Sequence, residues 1–210
     1  MEETLYEACS DGRVEEVQKL LQNTQININW QHYNNSTTPF YIACENGHID
    51  IVKLLLNDNR VDLNLADNDG WTPFYIACAK EHIDIVKLLL NEEGVDINKA
   101  SNDGRTPFLF ACWNAKTEVV KYLLESGKAI EINIKDNDGK TGLDYAKQKK
   151  NTNIVKLIES FQMKIEDEKK YNKIQSEKEE EQKQKEAEKN LEEQRKKIEE
   201  EKRKLKKRKK

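Results

Sequence analysis

Four cysteines are the residues of this chain whose type could bind a metal or form disulfide bonds. Cys9, Cys44, Cys78 and Cys112 are spaced 35, 34 and 34 residues apart. A zinc site is not expected, because structural zinc sites use close Cys pairs or paired His, and neither accompanies these residues. Disulfides are not expected either. The spacing places the cysteines in successive stacked structural units, which lie too far apart for the Cα atoms of two cysteines to come within about 7 Å. The regular spacing instead predicts a small buried residue where helices approach closely.

Asp and Asn cluster in three short segments that raise the question of a calcium site. The segments are DNDG at 67–70, SNDG at 101–104 and DNDG at 136–139. The ligand spacing of an EF-hand loop and its closing Glu are missing. Asp-Gly is a strong turn signal, because both residues tolerate positive φ. We therefore expect turns here, with no metal and no cofactor.

A catalytic site is not expected in this chain. Nucleophilic or acid–base catalysis needs a nucleophile, a base and an orienting group in one pocket, and the sequence offers poor candidates for such a set. The eight glycines fall mostly on turns and form no phosphate-binding loop. We predict that the protein is not an enzyme and has no small-molecule substrate.

The last nine residues, KRKLKKRKK, form the strongest charge cluster of the chain. Eight of them are basic: Lys202, Arg203, Lys204, Lys206, Lys207, Arg208, Lys209 and Lys210. Such a cluster attracts phosphate or an anionic membrane with about 1 kcal/mol per charge near the surface, or acts as a nuclear import signal. The alternative is a solvated end whose cations interact with a helix dipole. An amphipathic membrane helix is disfavoured, because Leu205 alone supplies apolar surface.

The elements that position these residues recur at a fixed period. TPFYIACENGHIDIVKLLLNDNRVDLN begins at Thr38, TPFYIACAKEHIDIVKLLLNEEGVDIN at Thr72 and TPFLFACWNAKTEVVKYLL at Thr106, so successive copies start 34 residues apart. A period of this length predicts stacked supersecondary units.

Each unit predicts two short helices followed by a turn. Thr72 is a good cap and Pro73 suits the first helical position. Apolar residues from Phe74 onward follow the spacing i, i+3, i+4, and a second helix from about Ile83 to Asn91 has a wider apolar stripe. Helices below about 12 residues are marginal alone, so each pair must pack against its neighbours. The Asp-Gly turns between units predict projecting β-hairpin fingers.

This pattern resembles the ankyrin repeat, in which a hairpin with D-x-x-G-x-T-P-L-H precedes a small-residue helix, G-H and V-x-x-L-L. The resemblance covers roughly residues 1–162 and implies an all-α ankyrin-repeat solenoid of helix-turn-helix units with β-hairpin fingers. We expect five repeats, including degenerate caps at both ends, at about residues 1–32, 33–66, 67–100, 101–135 and 136–162.

The chain departs from the family pattern at a few positions. The family's His after the apolar residue is replaced in three units, by Tyr41, Tyr75 and Leu109. The Gly of the G-H pair is kept as Gly47 and replaced by Glu81 and Ala115. His48 and His82 occupy the family's His position in that pair, which implies that their rings satisfy backbone groups between units.

Composition changes sharply near residue 162. Residues 163–210 hold 19 Lys and Arg and 14 Asp and Glu, so this segment carries +5 and residues 1–162 carry −8 of the overall −3. It lacks Pro and Gly and contains many i, i+4 Glu-Lys pairs. Our first interpretation is a charged single helix of up to about 70 Å at 1.5 Å per residue. Leu191, Ile198 and Leu205 give half the seam of a weak coiled coil, which is the second interpretation, and disorder is the third.

The resemblance also implies a concave binding surface, formed by the finger tips and the exposed positions of the first helices. The residues after the turn glycines are Trp71, Arg105 and Lys140, and the exposed helix positions include Glu45, Asn46, Lys80, Trp113 and Asn114. We call these eight residues the candidate surface. They differ from unit to unit while the apolar frame repeats, as expected for a binding surface.

Trp71, Arg105 and Trp113 belong to the residue types most often found at interface hot spots. The alternative is that each tryptophan packs on a neighbouring finger and only shields the backbone. A second aromatic group, Trp30, His32 and Tyr33, extends the candidate surface if the irregular second finger keeps its register.

Two functions of different class follow from these features. The first is a protein–protein interaction scaffold or adaptor that binds a protein partner of unknown identity through the concave surface. The second is a polyanion-directed tether, which binds nucleic acid or an anionic membrane through the basic C-terminus. We expect a monomer, with a weak coiled-coil dimer as the alternative. No apolar leader and no run of 18 apolar residues occurs, which predicts an intracellular, cytoplasmic protein, with the nucleus as the alternative because of the basic end.

Overall fold

The computed structural model describes the backbone of residues 1–208 and the side chains of residues 1–197. Ten α-helices and no strand occur in this backbone: α1 (Glu2–Asp11), α2 (Val14–Leu21), α3 (Pro39–Asn46), α4 (Ile49–Leu56), α5 (Pro73–Ala79), α6 (Ile83–Asn91), α7 (Pro107–Trp113), α8 (Thr117–Glu125), α9 (Gly142–Gln148) and α10 (Thr152–Arg208). The all-α class and the long C-terminal helix are confirmed. Internal contacts divide the chain into two units, Met1–Ser160 and Phe161–Lys210.

The N-terminal part, Met1–Ser160, is a row of helix pairs. Each first helix, from α1 through α3, α5 and α7 to α9, packs on the next one in the series. The second helices α2, α4 and α6 each also contact the next second helix, up to α8, but less extensively. This arrangement confirms that each short pair is stabilised by its neighbours.

The predicted helix starts are confirmed by the cap geometry. The Oγ1 atoms of four threonines accept a backbone N–H three residues later at 3.1–3.3 Å: Thr38, Thr72, Thr106 and Thr141. Proline follows the first three at the first helical position, where its missing N–H costs nothing. Thr141 is followed by Gly142 instead, and it forms a capping box with Asp144.

The fingers are tight turns, and they lack the strand ladder of an extended hairpin. In the three regular fingers a backbone N–H donates across the turn at 3.0 Å, as from Asp67 N–H to Trp71 O, and the turn glycine N–H donates back at 2.8–3.0 Å, as from Gly70 N–H to Asp67 O. Gly70 takes φ 80°, whereas the preceding Asp keeps negative φ. The second finger has no glycine, and Ser36 takes its place with φ 60°. The extra residue is therefore absorbed within the turn.

Asparagine side chains link the units at two levels. Between finger tips, three asparagines donate their amide to a carbonyl of the preceding finger at 2.8–3.1 Å: Asn68, Asn102 and Asn137. Before the fingers, three more bridge to the following unit through both amide atoms: Asn29, Asn64 and Asn98. These bonds satisfy the backbone groups of the turns and fix the spacing of successive units.

The four cysteines are free, fully buried thiols at equivalent positions of α1, α3, α5 and α7. Burial raises the pKa of the Cys9 thiol to about 12, and it also raises the pKa of the other three. Cys112 lies against the fifth helix pair, since a Cβ placed on Gly142 would be 3.0 Å from its Sγ. This confirms the prediction of structural thiols at close helix contacts.

The C-terminal part, which begins at Phe161, belongs entirely to α10 in its described backbone. Four i, i+4 ion pairs line its described surface, and three of them were predicted from the spacing: Glu166–Lys170, Glu181–Lys185 and Glu192–Lys196. Each adds only about 0.3–0.5 kcal/mol. Ile174 and Leu191 are about half exposed, at 49% and 50%. The basic residues from Lys202 onward lie outside the described side chains, so a role for them stays a prediction.

Among the described residues, no helix combines the length and apolar character needed to cross a membrane.

Candidate functional site

An aromatic row connects the two tryptophans of the candidate surface. The Trp71 ring stacks on Tyr75 with 4.8 Å between ring centroids and meets the edge of Phe110 at 5.1 Å. Phe110 in turn contacts Trp113 edge-on at 5.7 Å. We call Trp71, Tyr75, Phe110 and Trp113 the aromatic row. Since both tryptophans are half-buried, each keeps part of its ring accessible while its orientation is fixed by packing.

Arg105 is held by both its flat face and its edges. Its Cζ lies 4.3 Å from the centroid of the Trp113 ring. Its Nη1 is 2.5 Å from Asp103 Oδ2, and its Nε is 3.3 Å from Asp136 Oδ2. Only 17% of the side chain is exposed. The guanidinium therefore orients Trp113 through a cation–π contact while carboxylates neutralise its charge.

Asp136 is the buried anion of this group, with 1% of its side chain exposed. Burial opposes its charge. The hydroxyl of Tyr145 donates to it at 2.7 Å, and the backbone N–H groups of Lys140 and Asp138 donate at 3.0 and 3.1 Å. Together with Arg105 these donors outweigh burial and lower the pKa of Asp136.

The Asp136 carboxylate explains why the fourth unit has the apolar Leu109 at the family's His position. Tyr41 donates its hydroxyl to Asp67 of the next finger at 2.8 Å. Tyr75 Oη lies 3.5 Å from Ser101 Oγ, a longer contact to the equivalent finger residue. Leu109 has no donor. The equivalent acceptor, Asp136, is instead satisfied by Tyr145 and Arg105 as described above.

The remaining residues of the candidate surface make weaker contacts within the chain. Glu45 and Lys80 form an ion pair of 3.2 Å between neighbouring units, and Asn46 donates to Ser10 O at 2.9 Å. The Asn114 amide lies 3.5 Å from a carbonyl of its own helix. Lys140 Nζ donates to Gln148 at 2.9 Å. Partly exposed contacts of this kind contribute about 0–1 kcal/mol and are readily exchanged for contacts with a partner.

Phe110 and Tyr6 are parts of this surface that sequence reasoning missed. Phe110 occupies the register position held by Ile42 and Ile76, which are buried at 9% and 2% exposure. The change from isoleucine to an aromatic residue at this position was visible in the sequence and could have identified Phe110. Tyr6 occupies the register position of Tyr41 and Tyr75. That alignment could have identified it as a bridge to the next finger.

Tyr6 organises the second aromatic group. Its ring stacks on His32 at 5.0 Å and meets Trp30 edge-on at 6.0 Å. His32 also contacts Tyr33 at 4.5 Å, and Tyr33 is 78% exposed. The irregular second finger thus brings Trp30, His32 and Tyr33 together, with Tyr6 as their support. That this group extends the candidate surface stays a prediction.

The two histidines of the G-H pairs bridge units as the resemblance implied. His48 Nε2 donates to Ser10 O and His82 Nε2 donates to Glu45 O, both at 2.9 Å. Each ring lies over the glycine of the preceding unit, because a Cβ on Gly12 or Gly47 would be 2.8 Å from its Cε1.

This contact explains where glycine is replaced. The residue that faces Glu81 is Lys116, whose Nζ pairs with the Glu81 carboxylate at 2.8 Å. Without a ring above it, position 81 accommodates a side chain despite φ 61°. Loss of the glycine and loss of the following histidine are therefore coupled.

Within the part of the chain whose side chains are described, no group of three or more His, Cys, Asp or Glu residues is placed to hold a metal ion. The described buried side-chain N and O atoms all have hydrogen-bond partners.

Comparison with known proteins identifies one family. The family model described as ankyrin repeats (3 copies) matches residues 5–101 and 93–168. A search of curated proteins gives no significant match.

Proposed function

Because the chain belongs to the ankyrin-repeat family, whose repeats are in general protein–protein interaction modules, we propose that it is a non-enzymatic adaptor that binds a protein partner through the candidate surface. The observation that carries this proposal is the aromatic row, which runs across the third and fourth units and places two partly exposed tryptophans on the candidate surface. We assign binding to residues 1–162 and a spacer role to residues 163–210. We further propose that it acts in the cytoplasm.

The energetic argument rests on orientation. Trp71 is fixed by the Tyr75 ring and Trp113 by Arg105, so a partner that covers them orders few additional side chains. Immobilising a flexible side chain costs about 0.5–1.5 kcal/mol on association. Rings that are already held avoid that cost and offer large apolar area. Packing against the fingers therefore supports a binding role for the tryptophans, and the two roles are compatible.

The experiment compares two variants of the full chain that remove similar contacts on different helices. Trp113→Ala removes the ring under Arg105 on α7. Tyr122→Ala is the matched control, since Lys87 Nζ lies 4.2 Å from the Tyr122 ring centroid and this pair belongs to the second helices. Both aromatic rings are half-buried and each is contacted by a cation.

Full-length baits capture partners from lysate, and the affinity of the captured protein is measured for each variant. We expect Trp113→Ala to weaken binding by about 30-fold or more, as for a hot spot of about 2 kcal/mol, and Tyr122→Ala to change it little. Equal binding by both variants would contradict the proposal.

Salt separates the adaptor from the polyanion-directed tether. The observation that favours the tether is the run of eight basic residues among the last nine. Binding through that end should weaken steeply between about 50 and 200 mM salt, whereas binding on the aromatic row should persist. Binding of a partner that is lost at 200 mM salt and is unchanged by Trp113→Ala would favour the tether.

A further inference from the structure

Arg105 shows how this surface holds a guanidinium group. Its Cζ lies 4.3 Å from the centroid of the Trp113 ring, and its Nη1 pairs with Asp103, the residue two positions earlier in the same finger. This combination suits arginine in particular, because a planar guanidinium stacks on an aromatic ring while its N–H groups pair with a carboxylate. The fourth unit therefore contains a complete arginine site that is filled by the chain itself.

The preceding finger presents the same two groups, an aspartate and a tryptophan, with no arginine of its own. Trp71 follows the turn glycine, and Asp69 occupies the register position of Asp103. Asp69 is exposed, and within the described residues only its backbone is hydrogen-bonded, to Asp67 Oδ1 and to the Asn102 N–H. The Asp103 carboxylate reaches the side chain two residues later. By the same register, the Asp69 carboxylate is within reach of a group that stacks on Trp71.

One face of the Trp71 ring is available for stacking. Tyr75 covers the opposite face, with 4.8 Å between the ring centroids. The Phe110 centroid is about equally distant from both rings, at 5.1 and 5.2 Å, so Phe110 lies beside the stack and not over the far face of Trp71. Among the residues whose side chains are described, no Lys or Arg lies over Trp71, and its ring is only half-buried.

The local charges leave an unbalanced anion at this end of the aromatic row. In the fourth and fifth units three cations accompany three carboxylates: Arg105, Lys140 and Lys149 with Asp103, Asp136 and Asp138. Near Trp71, Lys80 is paired with Glu45 at 3.2 Å, and Asp67 accepts three hydrogen bonds. Asp69 pairs with no described cation, and the face of an aromatic ring adds negative potential. The complementary group is therefore a cation.

We infer that the partner places an arginine on the third finger, where its guanidinium stacks on the far face of Trp71 and donates to the Asp69 carboxylate. This inference rests on the proposed function, because it names the group that the same surface recognises. Lysine is the poorer fit, because its ammonium is a compact point charge that cannot stack flat on the ring and pair through an edge at the same time.

The test selects random peptides on the full chain from a display library and discards those that also bind Trp71→Ala. The enriched peptides should share an arginine. Its replacement by lysine should weaken binding by about fivefold or more, and citrulline, which keeps the planar shape without the charge, by about tenfold or more. Peptides that need Trp71 but share no arginine would overturn this inference and leave the proposed function standing. Failure to recover any peptide that depends on Trp71 or Trp113 would overturn both.

Asp69→Asn separates recognition from folding. Since the Asp69 carboxylate makes no contact among the described side chains, the urea midpoint should stay that of the parent chain, while an enriched arginine peptide should bind about tenfold more weakly. The control Asp84→Asn removes an exposed carboxylate of the same unit on the second helix α6, and it should alter affinity less than about twofold. The citrulline peptide should bind the parent chain and Asp69→Asn alike. Equal losses at positions 69 and 84, or equal sensitivity of the arginine and citrulline peptides to Asp69→Asn, would overturn the inference.

Discussion

Replacement of Gly47 by alanine tests how the units are coupled. Gly47 has φ 79°, and an ideal Cβ at this position lies 2.8 Å from His82 Cε1 and 2.9 Å from its Nδ1. An L-residue in the left-handed region costs about 1–2 kcal/mol. The histidine ring must also move, and its 2.9 Å bond to Glu45 O is then lost, which costs about 0.5–1.5 kcal/mol. We expect Gly47→Ala to lower the free energy of unfolding by about 2–3 kcal/mol.

Glu81→Ala is the matched control, because position 81 is equivalent and already holds a side chain at φ 61°. It loses only the partly exposed pair with Lys116, so we expect a change of about 0.2–1 kcal/mol. Urea unfolding of the full chain, followed by circular dichroism, measures both. The double variant Gly47→Ala with His82→Ala should lose about 1 kcal/mol less than the sum of the single variants, since the clash is removed together with the ring. Strict additivity, or equal losses at positions 47 and 81, would refute the coupling.

Three further predictions concern hydrogen bonds, pH and thiols. Tyr41→Phe should destabilise by about 0.5–1.5 kcal/mol, whereas Tyr75→Phe should cost less because its contact is 3.5 Å rather than 2.8 Å; equal losses in urea unfolding would contradict this. The folded pKa of Asp136 is lowered, so its contribution is present above the unfolded value of about 3.9 and lost as pH falls through the folded value. Asp136→Asn should therefore show a flatter loss of unfolding free energy below about pH 4, and an unchanged slope would argue against this. The thiols, including Cys9 with its pKa near 12, should react with a disulfide reagent at neutral pH only after unfolding, and rapid reaction in the native protein would contradict their burial.

Much of the frame was predictable because it depends on local chemistry repeated at one period. The Thr-Pro caps and the second helix from Ile83 to Asn91 match the structure. The regular spacing of the cysteines, 35, 34 and 34 residues, correctly indicated burial at successive helix contacts. These features follow from capping and apolar spacing, which act within a few residues.

The contacts of the candidate surface were less predictable because they join residues of different units. Arg105 and Asp136 meet across 31 residues, and nothing in the local sequence of either indicates that pairing. The coupling of Glu81 to Lys116 likewise needs the stacking of two units. Phe110 was partly predictable: the sequence indicates its register position, but it does not indicate that its ring points toward Trp71 and Trp113.

The most direct test of the account places a photo-crosslinking amino acid at Lys80, an exposed residue of the candidate surface, or at Lys53, an exposed residue of the second helix α4. Each full-length protein is irradiated with the partner captured from lysate, and the adducts are identified by mass spectrometry. The account predicts that the partner is crosslinked from position 80 and not from position 53. Adducts from position 53 alone would contradict it.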